Sequence, residues 1–324
     1  MEQINLGKSD IRVSRMGFGC WGLSGAYGSI AAGEAERLLQ AVADTGINFL
    51  DTADVYGGGA NEELLGRALA GRRQEVVLAT KFGYVGDEMG GLRIDGRPEY
   101  VVAACEASLR RLRTDYLDLY YLHRVDKTVP IAETVGAMQR LKDQGKIRAI
   151  GLSEAGIATL QKAGTAGRID VLQSEYSLAT PDLQDRVLPF LEEQGITLAA
   201  FSPLGRGMLT ALASGLQPGS DDYRRLIPRF QEPYLSHNIR IAEQMQDMAQ
   251  QLGTSLAILS LGWILASGNH IPIPGTRKLD HLRENCRALE LRLSPDIVQQ
   301  LASLARQFRG ARHNPANAAF YDVD

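Results

Sequence analysis

The chain has 324 residues, 44% of them hydrophobic and 23% charged, the balance of a folded globular protein rather than a disordered one. Its 35 basic and 38 acidic residues leave a net charge of −3, with no basic excess to hold a nucleic-acid backbone. Cys20, Cys105 and Cys286 are few, odd in number and scattered, which excludes a disulfide framework or a zinc cluster and fits a reducing cytoplasm.

The first 17 residues carry Glu2, Lys8, Asp10, Arg12 and Arg15 and no apolar signal core. Residues 3–14 read as a hairpin closing a barrel floor. Eight short apolar runs follow, beginning near Met16 (MGFGC), Ile47 (INFLD), Glu75 (EVVLATK) and Leu117 (LDLYYLH), then Ile147 (IRAIGLS), Ile169 (IDVLQS), Ile196 (ITLAAFS) and His270 (HIPIPG). They are apolar nearly throughout rather than alternating, as strands buried on both faces of a parallel sheet are.

Helical patterns fall between them: 34–44, 61–69, 99–112 just after Pro98, 131–144 stopped by Gly145, 181–194 stopped by Gly195, and 255–266. Another helix is expected to open after Lys278 and run to about residue 289. The stretch 248–269 lacks charge, but only 256–266 is strongly apolar, too short to span a membrane, so it reads as a buried core helix. The Gly/Pro-punctuated insertion 205–237 reads as a mobile loop after the seventh strand. No linker or composition break divides 1–324. The expected fold is one α/β domain, a (β/α)8 TIM barrel with an N-terminal hairpin, with an open doubly wound sheet as the alternative.

Barrel enzymes carry their chemistry at the carboxyl ends of the strands. The first four strand ends supply Cys20 and Trp21, then Asp51, Asp54 and Tyr56, then Lys81, then His123 and Arg124. An ammonium beside a phenol lowers its pKa, and a buried ammonium needs a carboxylate. Asp51, Lys81 and Tyr56 can form such a chain, with His123 donating to a carbonyl oxygen. Alone, each of these residues reads as a satisfied core polar group or a structural ion pair. Their joint occurrence at successive strand ends points to proton chemistry.

The other half of the rim looks suited to a cofactor. Thr276, Arg277 and Lys278 follow Gly275 at a helix start, a place for a phosphate. The loop from Ser202 through Leu204 to Gly207 has the small residues a pyrophosphate needs. Tyr176 offers a flat face, and Ser153 and Gln173 offer polar partners. The G-x-G-x-x-G of residues 17–22 is set aside as a dinucleotide fingerprint, because loop rather than helix follows it. The Gly151-to-Ala155 run lacks the last glycine of a nucleophile elbow, and the five histidines show no metal spacing.

These residues resemble the aldo-keto reductases along nearly the whole chain. The carrying segments are GINFLDTADVYG (46–57), ATKFG (79–83), LHR (122–124), IGLS (150–153), QSEYS (173–177), FSPLGRG (201–207) and IPGT (273–276), with Glu284-Asn285 further on. The wording is nearest to the branch of bacterial and plant reductases related to potassium-channel β-subunits. The resemblance implies a barrel that reduces an aldehyde or ketone with NADPH, Tyr56 being the general acid, its pKa lowered by Lys81, which Asp51 holds, and His123 orienting the carbonyl. It implies that Ser153 and Gln173 hold the nicotinamide carboxamide, Tyr176 stacks on its ring, and Ser202, Leu204 and Gly207 line the pyrophosphate. Gly275, Thr276 and Arg277 would meet the 2′-phosphate, Glu284 and Asn285 the adenine, with Trp21 and His281 in the same cofactor set. Many members carry Asn or Asp at Glu154, and classical members a Lys at Gly275 and an Arg at His281, so Arg277 is expected to take over the phosphate grip. Trp21, Tyr27 and Tyr84, with the 205–237 loop and the tail after Arg309, are expected to wall a small-molecule carbonyl pocket. No metal, nucleic-acid or membrane partner is implied. A cofactor-binding redox sensor with slow turnover, or a barrel lyase or isomerase without nicotinamide, are the other classes.

Overall fold

All eight apolar runs become strands of one parallel sheet. The computed structural model describes residues 1–25, 30–86, 93–211, 215, 222–315 and 320–322. In chain order the strands are β1 (Gln3–Asn5) and β2 (Arg12–Ser14), then β3 (Phe18–Gly19), β4 (Phe49–Asp51), β5 (Val77–Phe82), β6 (Tyr84–Val85) and β7 (Arg93–Ile94). They continue with β8 (Leu117–Leu122), β9 (Ile147–Ser153), β10 (Val171–Glu175), β11 (Thr197–Phe201) and β12 (His270–Pro272). The large sheet runs β3-β4-β5-β8-β9-β10-β11-β12, every neighbouring pair parallel. Its two edges meet: Gly17 and Gly19 donate their backbone N–H groups to Pro272 O and Pro274 O at 3.0 and 3.3 Å.

That seam explains the glycines. A Cβ on Gly275 would stand 2.5 Å from Gly19 O, and one on Gly19 would stand 2.8 Å from Ile273 O. Backbone meets backbone there, so no side chain can give way. Two glycines of the G-x-G-x-x-G string thus serve barrel closure.

The expected N-terminal hairpin is present, β1 pairing antiparallel with β2. Its Leu6, Ile11 and Val13 join Phe49, Val77, Leu119, Val171 and Ile271 in one apolar cluster inside the barrel. The hairpin therefore plugs the amino-terminal end and leaves the carboxyl rim for polar side chains.

Helices fill the connections. α1 (Ala32–Asp44), α2 (Ala60–Ala68), α3 (Pro98–Leu112) and α4 (Ile131–Asp143) lie where the periodicity puts them. Pro98 takes the first turn of α3, and Gly145 follows the end of α4 at φ 74°. α5 (Ile157–Gly164), eight residues long, is too short for its period to be read. α6 (Val187–Gln194) begins six residues later than the 181–194 pattern indicates, because 181–186 is taken up by turns. The uncharged stretch 248–269 is divided between α7 (Tyr234–Gln251) and α8 (Leu256–Ala266), bent 88° from each other. Ser255 caps α8, its side chain accepting from Ile258 N–H, and Leu256 through Ile264 are buried. No single helix among the described residues is long and apolar enough to cross a membrane. α9 (Leu279–Cys286) and α10 (Pro295–Ala305) complete the outer layer. The described part of 205–237 is packed rather than loose: it forms short 3-10 turns, and Met208, Ile227 and Phe230 make their own buried cluster.

Leu6 is fully buried in the floor plug. Leu6→Ala should cost about 2–5 kcal/mol of stability, read as a lowered urea midpoint. An unchanged midpoint would mean that the hairpin lies outside the cooperative unit.

Candidate active site

Inward-facing residues alternate along each barrel strand. Above the apolar fill of Phe49, Val77, Ala79, Tyr121, Ala149 and Val171, the next inward positions are Asp51, Lys81, His123, Ser153 and Gln173. Lys81 is fully buried. Its Nζ donates to Asp51 Oδ1 at 2.5 Å, to Thr52 O at 2.7 Å and to the Tyr56 hydroxyl at 3.3 Å. Gln173 Nε2 donates to the other Asp51 oxygen at 2.7 Å. Tyr56 rises from the turn after β4, half-buried, its ring 5.9 Å from that of His123. The four residues expected to act together are therefore together.

Burial alone pushes the Lys81 ammonium down, but the Asp51 charge and the Tyr56 hydroxyl hold it above its ordinary value. The Tyr56 phenol departs from expectation. Burial raises its pKa, Lys81 pulls it back, and burial prevails. In the free protein Tyr56 thus keeps its proton, with a cation already at its oxygen. His123 is held well below its ordinary pKa by burial and by the charges of Arg124 and Lys81, so it is neutral. Its Nδ1 is buried without a hydrogen-bond partner.

Aromatic rings wall the mouth. Trp21 lies 6.4 Å from Tyr56, ring to ring, and Tyr84 lies 4.8 Å from His123. Phe320 of the tail packs edge-on to Tyr84 at 5.9 Å. The expected wall residue Tyr27 falls outside the described residues.

The cofactor-side residues lie at adjoining strand ends. After β11, the loop turns through four left-handed residues: Ser202 (φ 48°), Gly205 (56°), Arg206 (55°) and Gly207 (96°). Ser202 and Arg206 hold this conformation without being glycine, a strain that loops retain where backbone groups must be aimed. Leu204, Ser202 and Gly207 are half-buried. After β12, Gly275 is exposed, Arg277 is half-exposed, and the Thr276 hydroxyl accepts from Lys278 N–H at 3.1 Å just before α9. On α9, His281 is exposed, Glu284 half-buried and Asn285 buried. This left-handed loop beside a helix start suits a dinucleotide's phosphates.

One expected contact changes, and two expected cofactor residues already carry hydrogen bonds within the protein. Tyr176 has no exposed face: it is fully buried, 5.2 Å from the Trp263 ring, with its hydroxyl on Ser267. Being one residue past the inward Glu175, it points outward into the helix layer. Phe201, inward and partly exposed at the end of β11 above Ala199, is the aromatic face the mouth offers instead. Counting alternation from Ala199 would have found it. Gln173 commits its amide N–H to Asp51, and the Ser153 hydroxyl accepts from Arg124 Nη1 at 3.0 Å.

Glu154 anchors the tail. At φ 52° it is left-handed and buried, and both carboxylate oxygens accept from Arg312, at 3.0 and 2.5 Å. Asp322 N–H donates to Glu154 O, and Gly156 N–H to the Asp322 carboxylate. The tail after Arg309 thus does reach the mouth.

The Aldo/keto reductase family model matches residues 15–306. A curated relative described as a probable aldo-keto reductase, from Glycine max, is 39% identical over 304 residues, covering 93% of this chain and 88% of the relative. Among solved structures, a glycerol dehydrogenase from Gluconobacter oxydans matches with a TM-score of 0.87 at 29% identity, covering 94% of this chain and 95% of its own. The holo form of an aldo-keto reductase from Bacillus halodurans gives 0.80 at 30% identity, covering 98% and 99%. An aldo/keto reductase from Klebsiella pneumoniae in complex with NADP and acetate gives 0.73 at 28% identity, covering 96% and 98%.

Burial raises the Glu154 pKa, but the Arg312 charge and hydrogen bonds, with Arg124 and the Glu175 N–H, hold it below its ordinary 4.5. A lowered carboxylate pKa stabilises the fold fully above the unfolded value, and the gain is lost as pH falls through the folded value. Arg312→Ala should therefore cost about 3–5 kcal/mol near neutrality by stranding a buried charge, and the deficit should narrow below pH 4.5. Denaturant melts at both pH values check this; an equal deficit at both would assign the loss to packing.

Proposed function

The chain belongs to the aldo/keto reductase family, and on that premise we propose that it reduces an aldehyde or ketone to the alcohol with NADPH, Tyr56 giving the proton. The observation that carries this is the buried relay from Gln173 through Asp51 and Lys81 to the Tyr56 hydroxyl, beside a neutral His123. Bound NADPH supplies the hydride. Tyr56 holds its proton until the carbonyl oxygen takes it, and the Lys81 ammonium, 3.3 Å away, stabilises the phenolate left behind. Neutral His123 orients the same oxygen with a ring N–H. In oxidation the steps reverse and the phenolate is the base.

The fit of the cofactor rests on the left-handed loop and the adjoining helix start, and the NADP complex of the Klebsiella relative supports it. Ser202, Leu204 and Gly207 hold the pyrophosphate. Gly275, Thr276, Arg277 and His281 face the 2′-phosphate, and Glu284 and Asn285 the adenine. Ser153, Gln173 and Trp21 border the nicotinamide, with Phe201 in place of Tyr176 as the face it lies against. The three free cysteines fit a cytoplasmic protein.

Tyr56→Phe should lower turnover by about 10² to 10⁴ while NADPH still binds; steady-state kinetics and cofactor fluorescence read the two separately. Unchanged turnover would remove Tyr56 from the role. Arg277→Ala should weaken NADPH about tenfold more than NADH, since only NADPH carries the extra phosphate. Equal weakening of both cofactors would take Arg277 off that phosphate.

A further inference from the structure

Four arginines crowd the tail side of the mouth, and three of them face carboxylates. Arg206 and Arg229 lie 3.8 and 3.7 Å from Glu175, and Arg312 is paired with Glu154. Arg124 differs. It is only 7% exposed, yet no carboxylate lies within 4.0 Å of it among the described residues. Its direct partners are neutral oxygens: Nη1 donates to His123 O at 2.5 Å and to the Ser153 hydroxyl at 3.0 Å, and Nη2 to the Tyr321 hydroxyl at 3.4 Å. Nε is buried with no hydrogen-bond partner. Glu154 acts on this guanidinium only from beyond ion-pair distance, so the free edge of the buried group is costly and specific. Nε and Nη2 form one side of the planar fork, the side that grips a carboxylate with two parallel hydrogen bonds. That edge holds a single long contact to a phenol.

The place of Arg124 says what would fill the edge. It follows β8, three and four strands away from β11 and β12, whose loops carry the phosphate-binding residues. It is next to His123 in sequence, and the Tyr84 ring lies beside both, its centroid 4.8 Å from that of the imidazole and 5.8 Å from the guanidinium carbon. Arg124 also acts electrostatically on Tyr56, so a ligand whose carbonyl sits at Tyr56 and His123 has the guanidinium within reach of a short chain. We propose that Arg124 is a specificity-determining residue that takes a carboxylate on the carbonyl substrate, a short chain away from the reacting carbon, with Tyr321 yielding the fork. The proposal rests on the reductase reading for which end of the substrate reacts.

The test compares γ-hydroxybutyrate with n-butanol, alcohols of one chain length that differ in the distal group, in ligand-observed NMR titrations of the full chain. The wild type should bind γ-hydroxybutyrate about tenfold or more tightly than n-butanol. Arg124→Met should bring the two within about twofold, and Arg124→Lys, which keeps the charge but loses the fork, should retain part of the difference. A wild type that binds both alike, or an Arg124→Met that keeps the preference in a folded protein, overturns the proposal. NADPH oxidation with succinate semialdehyde and butanal separates the two readings. If neither aldehyde is reduced while the Arg124-dependent carboxylate preference persists, the reductase reading falls and the anion site stands. If butanal is reduced as well as succinate semialdehyde, the anion site falls and the reductase reading stands.

Discussion

The ammonium of Lys81 has no access to water, and the upper half of the barrel is built around that constraint. A buried cation survives only with a counter-charge and with its remaining N–H groups satisfied. Asp51 supplies the charge, and Thr52 O and the Tyr56 hydroxyl take the other two donors. Asp51 has a second oxygen to satisfy, and Gln173 reaches it from β10. In the ring of eight strands β10 lies four places from β4 in either direction. The hydrogen bond therefore crosses the barrel, and the relay that orients Tyr56 also ties opposite walls together.

Strand alternation makes this arrangement economical in residues. On β5 the inward positions are Val77, Ala79 and Lys81, and on β10 they are Val171 and Gln173, so apolar fill passes to polar rim in a single step of two residues. The inward position of β9 between Ala149 and Ser153 is Gly151, where a Cβ would stand 2.3 Å from the Tyr121 ring. The absence of a side chain there gives Tyr121 its place, and Tyr121 in turn floors the site. The hairpin below seals the same interior with Leu6, Ile11 and Val13. Rigidity of the site thus comes from a filled interior rather than from the loops above it.

Strands and catalytic side chains were legible in the sequence because both follow local rules. Buried parallel strands are short apolar runs, and strand ends carry the chemistry. What escaped depends on parity and on distant contacts. Tyr176 and Phe201 are both aromatic residues near strand ends, and only the inward count separates them. The turns of 181–186 resemble helix by period because Leu183 and Val187 fall four apart, while backbone bonds from Val187 and Leu188 to Leu183 O mark where α6 begins. Glu154 is 158 residues from Arg312, a pairing no local pattern encodes. The insertion 205–237 is rich in glycine and proline, yet the buried Met208, Ile227 and Phe230 pin its described part.

Burial acts on the two groups proposed to touch the carbonyl oxygen in opposite chemical senses with one electrostatic result. It keeps the Tyr56 phenol protonated and the His123 imidazole unprotonated, so both are neutral at rest. The charges stand one contact behind them, Lys81 at the phenol oxygen and Arg124 beside the imidazole. A site arranged in this way gives an uncharged surface to a carbonyl that is itself uncharged before reaction. Charge appears on Tyr56 only when its proton leaves, and the ammonium that stabilises it is already 3.3 Å away and fixed by Asp51. No reorganisation is then needed at the moment of transfer, which is where preorganised electrostatics contribute most to rate. The same neutrality sharpens the role proposed for the distal group, because the guanidinium standing beside the imidazole belongs to Arg124.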